Sequence, residues 1–319
     1  MAQRPIVVIG SINMDLVCRT PAMPRPGETI LGGDFVTVPG GKGANQAVAA
    51  AKLARGGTGV HMIGRVGADD FGERMLSDLA GHGVVTDRIT ITEGVSSGIA
   101  MILVDKMGEN SIVVAPGANA RLTPADVDAA EDLIRSAICV VMQLEIPLAT
   151  VRHALAMCQA HGVYTILDPA PVPEKGLPRA LFGVDVLSPN QTEAEMLVGA
   201  PSRPRIRTKR VVDPKLLASD LLARGAKNVV LKLGKAGALA TDGEGFAAVK
   251  GFKVKVVDTT AAGDAFTGAL AVAHSEGIET EAAVRFANAA GAICCSGFGA
   301  QPSLPTREQV DLLVESKAR

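Results

Sequence analysis

Tryptophan is absent from this 319-residue chain, tyrosine occurs once, and aromatic residues make up only 3% of it. So few rings disfavour the stacking platforms that bind bases and the aromatic walls that bind carbohydrate. Neither charge is in excess. The 32 Lys and Arg face 33 Asp and Glu, a formal net charge of −1, which recruits neither nucleic acid nor an acidic membrane surface. No apolar run reaches membrane-spanning length, and the stretch Ala282–Cys295 is interrupted by Arg285 and Asn288. The opening Met1–Pro5 and the short run Ile6–Ile9 are too brief for a signal peptide. Cys18, Cys139, Cys158, Cys294 and Cys295 form no CxxC pair and leave an odd one over, the pattern of reduced thiols in a cytosolic protein. The histidines lack metal-ligand spacing, and neither a GxGxxG fingerprint nor a GxxxxGK[ST] P-loop is present. These absences point to a soluble, cytoplasmic protein with no membrane or nucleic-acid partner.

What is there is a core-forming excess of aliphatic residues in a chain long enough for one large α/β domain or two smaller ones. Strand-length runs at Ile6–Ile9, Val60–Ile63, Ile138–Met142, Thr165–Leu167, Val184–Leu187 and Val229–Leu233 alternate with helical stretches. The helical stretches are Asn45–Leu53, Phe71–Ala80, Pro124–Ser136, Leu148–His161, Glu193–Val198, Pro214–Arg224, Asp264–Ser275 and Glu281–Ser296. That alternation predicts a mostly parallel sheet covered on both faces. Two regions break it. Residues 15–38 carry β-type signals punctuated by Pro and Gly, and residues 97–115 read as two strands around a Lys106–Asn110 turn. Together they predict a small outlying sheet whose apolar face needs cover from a ligand or a second copy of the chain.

Four segments can carry chemistry. Ala261, Ala262 and Gly263 precede a helix, so their N–H groups can close around an anion where the helix dipole favours one. Asp264 in the first turn is either a cap or a base facing the group that attacks a phosphate. Pro39–Gln46 is a Gly-rich loop entering a helix, in which Lys42 and Asn45 offer donors suited to sugar hydroxyls. Asn13 and Asp15 alternate along an extended chain after the first strand, so both can face vicinal hydroxyls, unless they simply end the strand in an Asx turn. Asn190 and Glu193 can cap a helix or bind magnesium through its waters. Gly94–Gly98 matches GxSxG, but a strand rather than a helix follows it, so it is not a nucleophile elbow. The basic stretch Arg203, Arg205, Arg207, Lys209, Arg210 and Lys215 reads as a solvated loop and helix start.

Taken in order, GSINMD, PGGKGANQAVAAAKL, GRVGADDFG, SSGIAMILVD, QLEIP, LDPAP, SPNQTEAE and DTTAAGDAFTGAL resemble the ribokinase branch of the PfkB-type carbohydrate kinases over nearly the whole chain. The resemblance implies a single ribokinase-like domain over residues 1–319, a three-layer α/β sandwich with a small β-sheet lid. It implies MgATP-dependent phosphorylation of D-ribose at O5, with Asp264 as base and Ala261, Ala262 and Gly263 as the anion hole. The matching sugar positions are Asn13, Asp15, Gly41, Lys42, Asn45 and Glu145. Those near nucleotide and magnesium are Asn190, Glu193, Lys232, Gly234, Gly237 and Asn288. Asp258, Thr260, Cys294, Gly299 and Ser303 match a potassium loop, and lids of this family pair into a homodimer. A kinase of 2-deoxyribose, fructose or a nucleoside is the nearest alternative. A non-catalytic sugar-binding regulator is another, disfavoured by the intact Asp264 and anion hole.

Overall fold

The computed structural model describes residues 4–199 and 212–316. The chain runs β1 (Ile6–Ile9), β2 (Asn13–Arg19), β3 (Phe35–Gly40), α1 (Lys42–Leu53), β4 (Val60–Gly67), α2 (Asp70–Gly81), β5 (Val84–Thr92), β6 (Gly98–Val104) and β7 (Asn110–Ala115). It continues through α3 (Pro124–Asp128), α4 (Glu131–Ser136), β8 (Cys139–Met142), α5 (Leu148–His161), β9 (Tyr164–Leu167), β10 (Val186–Leu187), α6 (Gln191–Val198) and α7 (Pro214–Ala223). The last elements are β11 (Asn228–Lys232), β12 (Ala238–Thr241), β13 (Ala247–Val249), α8 (Ala262–Ser275), α9 (Thr280–Cys294) and α10 (Arg307–Ser316).

Nine strands form the main sheet in the order β13-β12-β11-β10-β9-β8-β1-β4-β5. Pairing is parallel from β11 to β5 and antiparallel at β11–β12 and β12–β13. The central strand explains why both faces are covered. Along β1 every side chain is fully buried, with Ile6 and Val8 joining the core that includes α1, α8 and α9, while Val7 and Ile9 join the core that includes α5 and α7. A continuous apolar strand of this kind is stable only between two helix layers, which gives the three-layer α/β sandwich expected.

Small residues then set how near the helices come. A Cβ on Gly268 of α8 would lie 2.7 Å from the Ala49 Cβ of α1, and one on Gly43 would strike the backbone of Gly10 and Ser11. The Ala-rich face of α1 therefore packs directly on α8, and its first turn abuts the end of β1. This close approach brings the N-terminal turns of two helices together at the C-terminal edge of the parallel strands, where open α/β sheets bind ligands.

The second sheet has the order β3-β2-β6-β7, with β2–β6 parallel and the other pairs antiparallel. Its first strand starts at Asn13, two residues before the expected boundary. Besides α10, for which no helical stretch was read, three features depart from the sequence expectations. The helix expected over 124–136 is two helices, because Arg88 Nη1 donates to the Ala129 carbonyl (3.0 Å) and the chain restarts at Ala130. The strand expected over 184–187 pairs only at Val186 and Leu187. Strands β5, β12 and β13 were not anticipated: β5 is a charged edge strand and the other two are short and Ala-rich. The basic cluster Arg203, Arg205, Arg207, Lys209 and Arg210 lies outside the described residues, while the Lys215 ammonium sits 5.4 Å from the Phe246 ring centroid. Among the described residues, no helix is long and apolar enough to cross a membrane.

Candidate active site

Ala261 takes φ 59°, the one non-glycine residue among those described in left-handed backbone, and this turn starts α8 without a side-chain cap. The first N–H groups of a helix have no intrahelical acceptor, so Ala261–Gly263 offer donors to the cleft, although the Ala262 N–H also lies 3.3 Å from the Thr259 carbonyl. Asp264 follows in the first turn, 5% exposed. It does not cap the helix. Its Oδ2 accepts from Asn45 Nδ2 (2.9 Å) and its Oδ1 from Gln46 Nε2 (3.0 Å), both across from α1. Burial pushes its carboxyl up to about 6; Lys42 and the two amides oppose that rise and the charge of Asp168 adds to it.

On one side of Asp264 lie the expected sugar residues. Asn13 is buried and its Oδ1 accepts from Asn119 Nδ2 (2.7 Å), which fixes the orientation of the amide. Burial, then the neighbouring carboxylates of Glu145 and Asp264, raise the Asp15 carboxyl to about 7. Glu145 Oε2 accepts from Ser11 Oγ (2.6 Å) and the Lys42 N–H (3.2 Å), tying the end of β1 to the start of α1. Gly41 caps α1 with φ 87°. Burial alone would depress the half-buried Lys42, but Asp264, Asp168, Glu145 and Glu193 around it hold its ammonium above the usual range.

On the other side opens a cleft of about 910 Å³, large enough for a nucleotide-sized ligand. Lys42, Asn190, Glu193, Lys232, Gly234, Gly237, Asn288 and Ala261–Asp264 all line it. Asn190 and Glu193 form a complete capping box on α6: Glu193 N–H donates to Asn190 Oδ1 (2.9 Å), and Glu193 accepts from the Asn190 N–H and Nδ2 (2.8 and 2.7 Å). The cap and the cleft use one pair of residues, so the two readings of NxxE are compatible. Burial and then Asp168 raise the Glu193 carboxyl, against Lys232 and Lys42. Asn288 Nδ2 donates to the Val249 carbonyl (3.2 Å).

The tail residues also converge. Asp258 accepts from Thr260 N–H (2.9 Å), Thr260 Oγ1 (2.7 Å) and the Gly299 N–H (3.0 Å), which outweigh burial and hold its carboxyl below its usual range. Cys294 Sγ lies 3.4 Å from the Thr260 carbonyl and 3.1 Å from Ser303 Oγ. Burial pushes its thiol up to about 12 and raises that of Cys295 also, so both carry little thiolate. The Thr260 hydroxyl and N–H therefore both fix the Asp258 carboxylate. Phe298 in the same loop lies beneath the Arg19 guanidinium at the end of β2 (5.2 Å).

Sequence reasoning missed five site residues: Ser11, Gln46, Asn119, Gln143 and Asp168. All but Asn119 lie inside quoted motifs, yet only the fold shows what they touch. Ser97 of the GxSxG segment is a latch, with its Oγ donating to Asp69 Oδ1 (2.6 Å) and accepting from the Gly67 N–H (2.9 Å).

The model of the pfkB family of carbohydrate kinases matches residues 3–307. The chain is 41% identical to a ribokinase of Bacillus subtilis, covering 98% of this chain and 99% of that protein. It is 37% identical to a deoxyribokinase of Salmonella typhi, covering 95% and 96%. A structure of Arabidopsis thaliana ribokinase complexed with ribose and ATP superposes with a TM-score of 0.88 at 34% identity, covering 99% of each chain. With a buried carboxylate beside a helix N-terminus in the wall of a nucleotide-sized cleft, and with these matches along its length, the chain belongs to the pfkB family of carbohydrate kinases.

Proposed function

We propose that this protein transfers the γ-phosphoryl group of ATP to O5 of D-ribose, giving D-ribose 5-phosphate and ADP. The observation that carries this reading is the position of Asp264. It is a buried acceptor that lines a nucleotide-sized cleft and has the polar side chains Asn45, Lys42 and Asp15 beside it. The relative solved with ribose and ATP supports the choice of substrates.

A hydroxyl is a poor nucleophile, but a loose phosphoryl-transfer transition state needs little deprotonation early. Asp264 therefore orients O5 and collects its proton late, while Asn45 and Gln46 keep both carboxylate oxygens aimed. Asn13, Asp15, Gly41, Lys42, Asn45 and Glu145 hold the sugar. Ala261–Gly263 receive the charge of the transferring phosphoryl group, the larger part of the catalysis together with alignment. Lys232, Gly234, Gly237 and Asn288 hold the nucleotide. Asn190 and Glu193 would hold the magnesium that accompanies ATP, which would neutralise phosphate charge.

The convergence of Asp258, Thr260, Gly299 and Ser303 supports a monovalent-cation loop, because carboxylate, carbonyl and hydroxyl oxygens suit a hard cation such as potassium. Cys294 meets that set through its thiol, beside the Thr260 carbonyl and the Ser303 hydroxyl. These residues would hold potassium, whose fixed positive charge would order the segment leading into the anion hole. The chain is one kinase domain over residues 1–319. Its small sheet is a lid over the sugar that excludes water and so suppresses ATP hydrolysis. The exposed Met101, Ile112 and Val113 of that sheet support pairing of two lids in a homodimer. The composition supports a cytoplasmic location.

The deoxyribokinase relative favours a second reading, 2-deoxyribose as substrate, since pentoses differing in one hydroxyl are separated by a few pocket groups. A panel of ribose, 2-deoxyribose, fructose and nucleosides with MgATP, ranked by kcat/KM, decides between them. Ribose is expected first; another sugar in first place replaces the substrate, and turnover of none refutes the activity.

A further inference from the structure

One buried hydrogen-bond chain runs from Lys232 to Asp264 through Asp168 and Gln46. Gln46, wholly buried on α1, donates from Nε2 to Asp264 Oδ1 (3.0 Å) and to Asp168 Oδ2 (3.0 Å), so one amide nitrogen bridges two carboxylates. Gln143 Nε2 fixes that amide by donating to Gln46 Oε1 (2.6 Å), which leaves no freedom to flip. Asp168, just after β9 and 2% exposed, completes the chain by accepting from Lys232 Nζ (3.1 Å) at the end of β11. The ammonium of Lys232 stands at the anion hole, since a Cβ on Gly263 would lie 3.6 Å from Nζ. Four segments far apart in sequence thus meet in a chain running from the phosphate side to the base.

We infer that Gln46 and Asp168 are positioning residues, which with Lys232 set the orientation and proton affinity of the Asp264 carboxylate according to what occupies the anion hole. This rests on the reading of Asp264 as the base and deepens it. An anion arriving at Ala261–Gly263 competes with Asp168 for Lys232. Asp168, less neutralised, then faces Gln46 and Asp264 with more of its charge, and Asp264 becomes a better proton acceptor when the phosphate is in place. The proton taken from O5 goes to an Asp264 oxygen, and none passes along the chain, because the Gln46 amide does not titrate. The other charged and titratable groups facing Asp264 are Lys42 from α1, Asp15 from β2 and the thiol of Cys294 at the end of α9; no step of this relay changes them.

The test follows the Asp264 carboxyl directly, by 13C NMR titration of aspartate-labelled protein, with its signal identified by loss in Asp264→Asn. That readout needs no turnover, so a wrong substrate and a wrong relay give different results. Asp168→Asn removes a like charge and is expected to lower the Asp264 midpoint by about one pH unit; Gln46→Met removes a donor and raises it by a similar amount. Lys232→Met raises it in the wild-type background but much less in Asp168→Asn, a double-mutant cycle that isolates the path through Asp168. In turnover, Gln46→Met is expected to lower kcat about 10-fold with the sugar KM within about two-fold, the mark of lost alignment. Midpoints that do not move, that move in one direction for both Asp168→Asn and Gln46→Met, or that respond to Lys232→Met equally in both backgrounds overturn the inference. Should Gln46→Met fail to fold, the Asp168 and Lys232 cycle decides alone.

Discussion

Replacing Asp264 by Asn separates the base from the scaffold, because the substitution keeps shape and removes charge. The carboxylate accepts one hydrogen bond on each oxygen, from Asn45 and Gln46. An amide can satisfy only one of these donors and turns an N–H toward the other, a conflict worth about 1–3 kcal/mol. Against that stands the cost of a buried charge. The rise of the Asp264 carboxyl from 3.8 to about 6 corresponds to about 3 kcal/mol in favour of its protonated form. Its pKa is raised on folding, so this stability is complete below about pH 4 and is lost as pH rises through about 6. Asn carries no such loss. The variant should therefore gain on the wild type between pH 4 and pH 8, by up to about 3 kcal/mol, or several degrees of Tm. Activity goes the other way: kcat/KM should fall about 10²–10⁴-fold with sugar affinity within a few-fold. Wild-type kcat/KM should also fall with acid below about pH 6, and the residual activity of the variant should not. A coupled ADP-release assay, sugar calorimetry and melting curves at the two pH values measure all of this. Turnover within a few-fold of wild type, or a Tm difference independent of pH, refutes the reasoning.

Two further outcomes test the surroundings of the site. Potassium should raise turnover strongly over sodium-only or lithium-only buffer, and Asp258→Asn should remove that response; equal rates with all three cations would eliminate the cation loop. Ile112→Glu with Val113→Lys, both on the exposed edge strand β7, should halve the mass measured by light scattering and leave the melting temperature within about 2 °C, since surface changes cost little. An unchanged mass would mean that the lid is not the dimer surface.

What the sequence made legible follows from range. The anion hole, the Gly-rich loop and the NxxE pair each act within a few residues, so glycine spacing and capping logic expose them. Gln46 and Asp168 act across 122 and 218 positions, and no local pattern marks a glutamine that bridges two carboxylates. Asn119 escaped for the same reason, lying 107 positions from the Ile12 backbone it clamps. The parallel strands were legible because burial on both faces makes them continuous apolar runs. Strands β5, β12 and β13 were not, because an edge strand tolerates Asp87 and Arg88, and Ala-rich strands are set by their neighbours rather than by propensity.

The charge around the anion hole shows why a global count says little about a site. Asp15, Glu145, Asp168, Glu193 and Asp264 converge there with Lys42 and Lys232 among them, in a chain whose net charge is −1. Such a cluster would repel a polyphosphate if all five carboxyls were ionised. The fold reduces that repulsion in three ways. Burial keeps the carboxyls of Asp15 and Asp264 partly protonated near neutral pH, at about 7 and about 6. Lys42 is surrounded by four of the carboxylates, and Lys232 is held by Asp168. The N-terminus of α8 then presents N–H groups and a dipole of the right sign where the anion must sit. Acidic side chains for proton acceptance and backbone for anion binding can share one site because the positive end of the helix is built from peptide groups, which cannot form ion pairs with the carboxylates beside them.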